Sequence, residues 1–583
     1  MSRMKTCYSL ALLLIVLPVS WCQARSTVAP SLDAHTQEFE RKVYKVTDGV
    51  YQAVGYALAN SIMIEGDDGI IIVDVTESVE TAREVLAEFR EITDKPIKAL
   101  IYTHNHADHV LGGKGFVPDE TAADELPVYA HDTTDHYINR FGGIIRPIVE
   151  TRSARMFGTP LPEGPEGVVN AGIGPFLATN GSVHGGTVGL IRPNKTFDER
   201  LKLDIAGIEI ELVHAPGETN DQLFVWLPEK RVLLPGDNLY KAFPNLYTIR
   251  GSLYRDPLKW VASLDKMRAL KPAFIAPSHT RPISGEEKVA EILTAYRDAI
   301  QYIHDQTARW MNAGLTPDEI VERVSLPEHL QKHPFLLEHY GTVAWSVRNI
   351  FNGYLGWFNG DAATLNPVVP KVRAQRLVAL GGGQEKVAAS VRQAIADKDY
   401  AWAAELAGHL VRLNENNRLG RELQAEAFEH LGALSVSPNG RNFYLTQALE
   451  LRGKTEVKEN RNYTPDRLDF AKSMPVRQLL ESLQVNLKAE DALDINQTVE
   501  LEFFDVDETY SFHIRHGVAE LRQGKAKSAD LRVQVSSNAW ADVLLGVRSV
   551  PAALLTGDIK LKNRITDVPA FIKFLLLFQP EEV

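Results

Sequence analysis

The hydrophobic positions of the chain form three successive patterns. From Val43 to about Ser284, short β-branched runs such as "DGIIIVDV" and "IKALIYTH" alternate with segments whose apolar residues recur three and four positions apart. The runs predict buried strands, and the segments between them predict amphipathic helices. "LKLDIAGIEIELVHAPG" and "QLFVWLPEKRVLLPGD" predict two hairpins with Ala-Gly and Pro-Glu-Lys turns. This alternation predicts a layered multidomain α/β protein whose first domain spans residues 43–284.

The second pattern is helical and runs from Gly285 to about Glu450. The stretch from Lys386 to Leu434 is rich in Ala, Leu and Glu, with apolar residues three and four apart. It predicts either helix hairpins of a repeat or an ordinary helical bundle, and the pattern fits both. We therefore predict an all-α domain over residues 285–455.

The third pattern follows a polar segment, "LRGKTEVKENRNYTPDR". A helix-like run, "VRQLLESLQVNL", precedes alternating runs such as "TVELEFFDV" and "DLRVQVS", and "VPAFIKFLLLF" is a strongly apolar last segment. These features predict a small α+β domain over residues 465–583, with more apolar surface than its size requires.

The N-terminus has the features of a secretory signal peptide. Arg3 and Lys5 form a positive region, Leu10–Val19 an apolar one, and small residues lead to a cleavage position after Ala24. A short membrane anchor and a lipid anchor at Cys22 are the alternatives, and the short apolar run and bulky preceding tryptophan disfavour them. We predict a signal peptide over residues 1–24 and export to the periplasm or the cell exterior.

Composition narrows the chemistry. The chain has 583 residues, enough for several domains, and a formal net charge of −12, which argues against a nucleic-acid partner. Both cysteines, Cys7 and Cys22, fall in the predicted signal peptide. The exported chain would therefore have no disulfide and no thiolate ligand, so any metal must be held by nitrogen and oxygen atoms. No interior segment is long and apolar enough to predict an integral membrane span.

The segment "YTHNHADHVLGG" directly follows a predicted strand. It carries four metal-ligand side chains within six residues: His104, His106, Asp108 and His109. A His-x-His pair after a strand places two imidazoles on one loop, and the following Asp-His pair can serve a second ion. Imidazole and carboxylate together suit zinc, so the segment predicts a metal site.

This segment resembles the signature of the metallo-β-lactamase superfamily. Three later segments follow in the order of that fold: "APGETND", "LLPGDN" and "APSHTRP". A narrower resemblance, to the alkylsulfatase family, covers nearly the whole chain after the predicted signal peptide. "FPNLYTIRG" resembles that family's sulfate-binding segment, "VVNAGIGPF" its glycine-rich loop, and "YLGWFNGDAATLNP" part of its dimerisation domain. The last domain resembles its sterol-carrier-like domain, so an αββα sandwich, a helical dimerisation domain and a lipid-carrier-like domain are implied.

The resemblance implies two zinc ions and seven ligands. One ion would be held by His104, His106 and Glu218, the other by Asp108, His109 and His279, with Asp237 bridging them. His214 is the rival to Glu218, and the spacing of the family favours Glu218. Asp237 is a departure, because the family often has the longer glutamate at this place.

The resemblance also implies a sulfate clamp. Asn245 and Arg250 would bind sulfate as catalytic residues together with Asp108, and Gly174 would donate a backbone N–H. A guanidinium suits this task because it binds oxyanions through two parallel hydrogen bonds. Phe157 would also face the substrate, where some family members have a tyrosine that donates to sulfate. Two further open choices are whether Phe157 instead packs in the core, and whether Arg255 is an extra cation or a surface residue.

The implied function is hydrolysis of primary or secondary alkyl sulfate esters by zinc-activated water in a homodimer. The apolar last domain would collect the alkyl chain. Two alternatives remain: another two-zinc hydrolase, acting on phosphodiesters or lactones, and a lipid-binding protein with a vestigial metal site. The sequence leaves open whether the C–O or the S–O bond breaks.

Overall fold

The computed structural model describes residues 28–117, 119–178, 183–458 and 465–579. The predicted signal peptide lies outside these described residues. Within them, no helix has both the length and the apolar character needed to cross a membrane.

The first sheet has seven strands that lie side by side in chain order. They are β1 (Lys42–Thr47), β2 (Val50–Val54), β3 (Ser61–Glu65), β4 (Ile70–Val73), β5 (Ile97–Ile101), β6 (Val128–His131) and β7 (Lys195–Phe197). The first four are antiparallel to one another, and β4 to β7 are parallel. The β-branched runs predicted as strands are β4 and β5, and the segment between them contains a helix, as predicted.

The second sheet has six strands, in the order β13-β12-β11-β10-β9-β8. They are β8 (Arg200–Ile205), β9 (Ile208–His214), β10 (Leu223–Leu227), β11 (Val232–Leu234), β12 (Phe274–Ile275) and β13 (Ile283–Ser284). Both predicted hairpins are present, as β8–β9 and β10–β11. In the first turn Ala206 and Gly207 both have positive φ, as a two-residue hairpin with the right-handed twist of its strands requires.

The two sheets pack face to face between two layers of helices. The helices of this region are α1 (Pro30–His35), α2 (Val79–Arg90), α3 (Ala107–Val110), α4 (Gly113–Phe116), α5 (Glu120–Glu125), α6 (Thr134–Gly142), α7 (Arg146–Phe157) and α8 (Pro257–Ala269). Alternate residues of β4 explain the layering: Ile71 and Val73 face the second sheet, whereas Ile70 and Ile72 pack with α2. The predicted αββα sandwich is therefore the fold of this region.

The middle of the chain is helical, as predicted. Its helices are α9 (Glu286–Asn312), α10 (Pro317–Val321), α11 (Glu328–Gln331), α12 (Val343–Leu355), α13 (Pro370–Leu380), α14 (Gln384–Ala396), α15 (Tyr400–Leu413), α16 (Arg418–Leu434) and α17 (Pro438–Leu451). Residues of α9 and α12 share one hydrophobic core with the outer face of the second sheet and α8. Thus α9 forms part of the sandwich's outer layer, although it lies within residues 285–455, which were predicted as a separate all-α domain.

The last region is a five-stranded sheet covered by helices. Its strands, in the order β16-β15-β14-β17-β18, are β14 (Asn496–Phe503), β15 (Glu508–Arg515), β16 (Val518–Gln523), β17 (Leu531–Val535) and β18 (Ile559–Leu561). Its helices are α18 (Pro465–Lys472), α19 (Val476–Gln484), α20 (Ser537–Leu544), α21 (Val550–Thr556) and α22 (Arg564–Leu576). The closing apolar segment falls largely in α22, where Phe571 and Phe574 are buried. The predicted α+β class is therefore correct.

Candidate metal centre

The seven predicted ligands lie on four loops at one end of the sandwich. Each loop follows a strand: the "HNHADH" segment follows β5, Glu218 follows β9, Asp237 follows β11 and His279 follows β12. The strands β9, β11 and β12 run in the same direction, because β10 is antiparallel to both β9 and β11 and β12 is parallel to β11, so all three end at one edge of the second sheet. The segment after β5 reaches the same place from the first sheet. The sequence predicted this meeting only through the resemblance, because spacing alone does not fix strand order.

The ligand atoms of these side chains converge. They form three overlapping groups, and within each group the ligand atoms lie within 4.8 Å of one another. The groups are His104, His109 and Asp237; Asp108, His109 and His279; and His106, Glu218 and Asp237. Asp237 Oδ1 is 3.4 Å from His109 Nε2 and 3.2 Å from His279 Nε2. Two atoms bound to one tetrahedral zinc ion are separated by about 3.4 Å. The spacing therefore fits atoms that share a cation.

Two further observations support a metal centre. His109 Nε2 and Asp237 Oδ1 are buried and have no hydrogen-bond partner among the described residues. His104 Nε2 lies 2.9 Å from His106 Nδ1, so the two ring nitrogens face each other, in a hydrogen bond or around a shared ion. The seven residues present thus fit a metal centre.

Electrostatics within the cluster point the same way. Burial lowers the pKa of His104 and His106 well below the usual range, so both rings are neutral. Burial would also lower the pKa of His109, but Asp237, Asp108 and Asp74 outweigh it and raise that pKa well above the usual range. The pKa of His279 is raised against burial by Asp237. The carboxylates around these two histidines therefore favour positive charge at this place.

Backbone and side-chain partners orient the ligand rings. Asp74 Oδ2 lies 2.7 Å from His109 Nδ1 and accepts hydrogen bonds from the hydroxyls of Thr103 and Ser278. The carbonyl oxygen of Leu58 lies 2.9 Å from His279 Nδ1. These contacts leave Nε2 of each ring directed at the cluster. Asp74 was not predicted from the sequence, where its only signal was an acidic residue after a buried strand.

Glu218 is held by a cation and a phenol. Arg255 Nη1 lies 2.8 Å from Glu218 Oε1, and Tyr240 Oη donates to Glu218 Oε2 at 3.2 Å. Burial, only partly offset by Arg255, raises the pKa of Glu218 to about 7. Arg255 is itself only 3% exposed, so the alternative that placed it on the surface is wrong.

His214, the rival to Glu218, lies elsewhere. Its Nε2 is 2.8 Å from the carbonyl oxygen of Asn220, and its ring stacks on His131. In the described part of the chain it belongs to none of the convergent groups. Glu218 belongs to one of them, which supports the choice made from spacing.

The two predicted clamp residues lie beside the cluster. Arg250 Nη2 is 3.3 Å from His106 Nε2. Asn245 is completely buried, and neither atom of its amide group has a hydrogen-bond partner among the described residues. Its backbone N–H donates to Tyr240 Oη, and its carbonyl oxygen accepts from Arg255. A buried amide with a free donor and a free acceptor is costly, so its orientation indicates a place for a polar ligand.

Gly174 and Phe157 both pack near Leu58, whose carbonyl oxygen contacts His279. A Cβ atom added to Gly174 would lie 2.3 Å from the carbonyl oxygen of Leu58, so only glycine fits there. Phe157 is 8% exposed and packs in an apolar cluster with Leu58, Tyr240 and others. Phe157 therefore has a packing role, whether or not it also faces the substrate.

A second tyrosine near the clamp was also missed. Tyr340 is buried, and its ring centroid lies 5.7 Å from that of Tyr240. Burial raises the pKa of Tyr340, and so does the charge of Glu218, so the phenol keeps its proton. The only sequence signal was its position, one residue after a histidine within the region predicted to be helical.

Family comparisons cover most of the chain. Residues 55–279 match the model of the metallo-beta-lactamase superfamily, residues 316–454 that of alkyl sulfatase dimerisation, and residues 464–581 that of the alkyl sulfatase C-terminal domain.

Individual proteins agree with these matches. The chain is 41% identical to a linear primary-alkylsulfatase from Pseudomonas sp., over 88% of this chain and 97% of that protein. It is 29% identical to an (R)-specific secondary-alkylsulfatase from Pseudomonas sp., over 96% of this chain and 84% of that protein. The solved structure of the stereoselective inverting sec-alkylsulfatase Pisa1 from Pseudomonas sp. matches with a TM-score of 0.88 at 28% identity, covering 95% of this chain and 87% of that one.

Proposed function

The chain belongs to the alkylsulfatase family of the metallo-beta-lactamase superfamily, and from this membership we propose that it hydrolyses alkyl sulfate esters with two zinc ions. The substrates would be detergent-like primary or secondary esters, and the products an alcohol and inorganic sulfate. The overall reaction consumes one water: one C–O or S–O bond breaks, and a proton leaves the water that attacks.

The observation that carries this proposal is the pair Asn245 and Arg250 beside the convergent ligands. Asn245 offers a buried donor that has no partner in the described part of the chain, and Arg250 offers a guanidinium next to His106. Burial, together with the neighbouring charge of Arg255, lowers the pKa of Arg250. Two guanidinium groups in one buried site favour an anionic ligand, and a sulfate ester supplies one.

We assign the ligands as the family resemblance implies. His104, His106 and Glu218 would hold one zinc ion, Asp108, His109 and His279 the other, and Asp237 would bridge them. Bound zinc would make water more acidic and polarise the ester. Zinc is preferred because the seven donors are imidazole nitrogens and carboxylate oxygens.

The remaining roles belong to side chains around the ester. Arg250, Asn245 and the N–H of Gly174 would bind the sulfate group and stabilise the negative charge that grows on it as the bond breaks. Asp108 would accept a hydrogen bond from the attacking water and so orient it. Although burial opposes it, His109 and His279 hold the pKa of Asp108 at about 2, so this carboxylate is ionised at neutral pH.

The rest of the chain suits an apolar substrate. We propose that the last domain collects the alkyl chain, that the helical domain forms a homodimer, and that the protein is exported. Burial of an alkyl chain contributes about 0.8 kcal/mol per CH₂, so an apolar surface matters most for long chains. Exposed apolar side chains of this domain include Leu555, Phe504 and Leu576.

The test is sulfate release from dodecyl sulfate and from a secondary octyl sulfate in ¹⁸O-water, with and without a chelator. We expect release that the chelator abolishes and zinc restores. Label in the alcohol would show C–O cleavage, and label in sulfate would show S–O cleavage. If both metals are bound and neither ester is cleaved, sulfate esters are not the substrate, and phosphodiesters and lactones become the next candidates. Chelator-insensitive lipid binding without hydrolysis would instead favour a carrier.

A further inference from the structure

An N-terminal segment lies against the substrate side of the site, although the sequence indicated no role for it. We define this segment, residues 30–41, as the strap: α1, a following turn of 3₁₀ helix (Thr36–Phe39), and the residues leading to β1. The side chains of Leu32, His35 and Phe39 are buried. The strap is therefore packed against the domain along its length.

The strap binds the glycine-rich turn that ends in Gly174. Asn170 Nδ2 donates to the carbonyl oxygen of Leu32 at 3.2 Å and to Thr36 Oγ1 at 3.0 Å, while Asn170 Oδ1 accepts from the N–H of Gly172. His35 Nε2 lies 2.7 Å from the carbonyl oxygen of Gly172 and so must donate to it. Both backbone polar groups of Gly172 are thereby held: Asn170 accepts from its N–H, and His35 of the strap donates to its carbonyl oxygen.

The turn then fixes Gly174. The N–H of Ala171 donates to the carbonyl oxygen of Gly174 at 2.9 Å, which closes the turn. Gly172 has a φ of +84°, and a Cβ atom there would lie 2.2 Å from the carbonyl oxygen of His339. The turn is therefore clasped between the strap and His339, and its last glycine packs on Leu58.

His35 also contacts the chain next to Tyr340. Its ring stacks on that of His339 with centroids 4.1 Å apart and planes at 29°. Burial lowers the pKa of His35 to about 4 and that of His339 to about 3, so both rings are neutral and can stack. The side chain of His35 thus contacts two segments beside the clamp: the turn of Gly174 and the segment of Tyr340.

An ion pair and a hydrogen bond to the backbone tie the strap to the loops of Asp237 and His279. Lys241 Nζ is 2.6 Å from Glu38 Oε1, and Arg281 donates to the carbonyl oxygen of Gln37. Lys241 follows Asp237 by four residues, and Arg281 follows His279 by two. The strap is therefore joined to the turn of Gly174, to the segment of Tyr340 and to the loops that carry Asp237 and His279.

We propose that His35 is a positioning residue that holds the turn of Gly174 in place for sulfate. The proposal rests on the proposed function, because sulfate is the group that the turn would bind. His35 does not touch the ester. It acts through the hydrogen bond to Gly172 and the stack on His339.

The test compares variants at His35 in the full-length, metal-loaded protein. His35→Leu keeps bulk but loses the N–H, and His35→Gln restores a donor close to the position of Nε2. His304→Leu is the matched control, because His304 is also buried and hydrogen-bonded but lies in α9, away from the turn. Thr36→Val removes only the hydroxyl that accepts from Asn170, and it serves if His35→Leu does not fold.

We expect His35→Leu to raise both KM and the inhibition constant of inorganic sulfate about tenfold, the effect of one buried hydrogen bond. Metal content should stay at the wild-type level, kcat should change less than KM, and His35→Gln should recover most of the loss. Thr36→Val should shift both constants in the same direction by a smaller factor. His304→Leu should leave both constants unchanged at a comparable thermal midpoint.

Three results would overturn the proposal. In the first, His35→Leu folds and has the inhibition constant of the wild type for sulfate. In the second, His35→Gln loses as much sulfate affinity as His35→Leu. In the third, His35→Leu loses bound metal in parallel with its sulfate affinity. Should the wild type neither cleave sulfate esters nor bind sulfate, the proposed function fails, and amide hydrogen exchange of residues 170–176 decides about His35. Faster exchange in His35→Leu but not in His35→Gln would keep its positioning role, whereas equal exchange would remove it.

Discussion

Arg255, which is buried, and Arg250, which is partly buried, are two guanidinium groups of the site with different partners. Arg255 forms an ion pair with Glu218 and donates to the carbonyl oxygen of Asn245. Arg250 contacts the outer nitrogen of His106 and the carbonyl oxygen of Gly251. The first therefore stabilises a ligand and the clamp backbone, while the second is placed to meet the substrate.

Replacement of Arg250 by Ala should separate these roles. We expect kcat/KM for dodecyl sulfate to fall at least about a hundredfold, because two charge-assisted hydrogen bonds to sulfate are lost. Both metals should remain bound, as measured by elemental analysis of the purified protein. Arg250→Lys should recover only part of the activity, because an ammonium group cannot bind sulfate in the two-pronged geometry.

The control is Arg348→Ala, which removes an exposed guanidinium paired with Asp318. If metal content fell in Arg250→Ala as steeply as activity, the separation between clamp and ligand residues would be wrong.

Glu77 is a buried carboxyl group that links two walls of the site. It accepts hydrogen bonds from the N–H groups of Leu58 and Ala178. Burial nevertheless raises its pKa to about 7. Below pH 4.5 this group is protonated in the folded and the unfolded chain alike. Between pH 4.5 and 7 it ionises only in the unfolded chain, so its contribution to stability falls as pH rises and is constant above 7.

Glu77→Gln should remove this pH dependence. We expect the free energy of unfolding of the wild type to fall, relative to the variant, by about 3 kcal/mol between pH 4.5 and 7. Urea unfolding of both proteins at half-unit pH steps measures the difference. Parallel curves would mean that the carboxyl ionises normally in the folded protein.

The sequence indicated the convergent histidine and carboxylate side chains better than the groups around them. His104, His106, Asp108 and His109 form a dense motif, and such a density has few explanations other than a metal. Asp74, Glu77, Tyr240 and Tyr340 are single residues in ordinary surroundings, and only tertiary contacts bring them to the site. The order of strand ends creates those contacts, and local patterns do not encode it.

Among the secondary structure elements, α7 contacts all three parts of the chain. Arg152 donates from Nε and Nη2 to the carbonyl oxygen of Ile249, next to Arg250, and Met156 Sδ accepts from Thr248. Arg155 pairs with Glu450 at the end of α17, and Glu150 pairs with Arg467 of α18. This helix therefore joins the clamp to the other two domains.

Ile148 lies one turn before Arg152 on the same face of α7, and 55% of its side chain is exposed. An alkyl chain leaving the clamp along this face would contact it. Ile148→Ser should lower kcat/KM about fivefold for dodecyl sulfate and less than about twofold for butyl sulfate, since apolar contact is lost only to the long chain. Initial rates across a series of chain lengths provide the measurement.

Leu258→Ser is the control, because Leu258 is also partly exposed but lies on α8. An equal loss at every chain length, or the same loss in the control, would exclude this path for the alkyl chain.

The predicted strands and helices were found where periodicity was regular, as in β4, β5, α2 and both hairpins. The strap was not predicted. Its helix, α1, has only six residues and too few apolar positions to show a period, and its structure comes from contacts with Asn170 and His339. Short elements of this kind are fixed by their surroundings.

The three regions seen in the sequence are joined more closely than their composition suggests. Arg441 of α17 is completely buried and donates to the carbonyl oxygens of Pro165 and Gly167 in the first domain. The core that contains α8 also contains α9 and α12. We therefore expect the first domain to need the helical domain for its stability, which composition could not show because both segments have ordinary apolar content.

The exposed apolar residues of the helical domain support the proposed homodimer. Trp357, Val369 and Leu380 have exposed fractions of 72%, 65% and 85%, which a second copy could cover through an isologous contact. We expect light scattering to give about twice the mass of one chain, and Val369→Glu with Leu380→Glu to give the mass of one. Leu555→Glu, at an equally exposed site of the last domain, should stay dimeric. A wild type with the mass of a single chain would exclude the homodimer.

The contact between His35 and His339 also has a consequence for synthesis of the chain. The strap leaves the ribosome among the first segments, but its stacking partner follows roughly three hundred residues later, a delay of about half a minute at usual elongation rates. During that interval His35 has no ring to stack on. The turn of Gly174 can therefore reach its final form only after more than half of the protein has been made, so a truncated product would lack the finished site even though it contained every predicted zinc ligand.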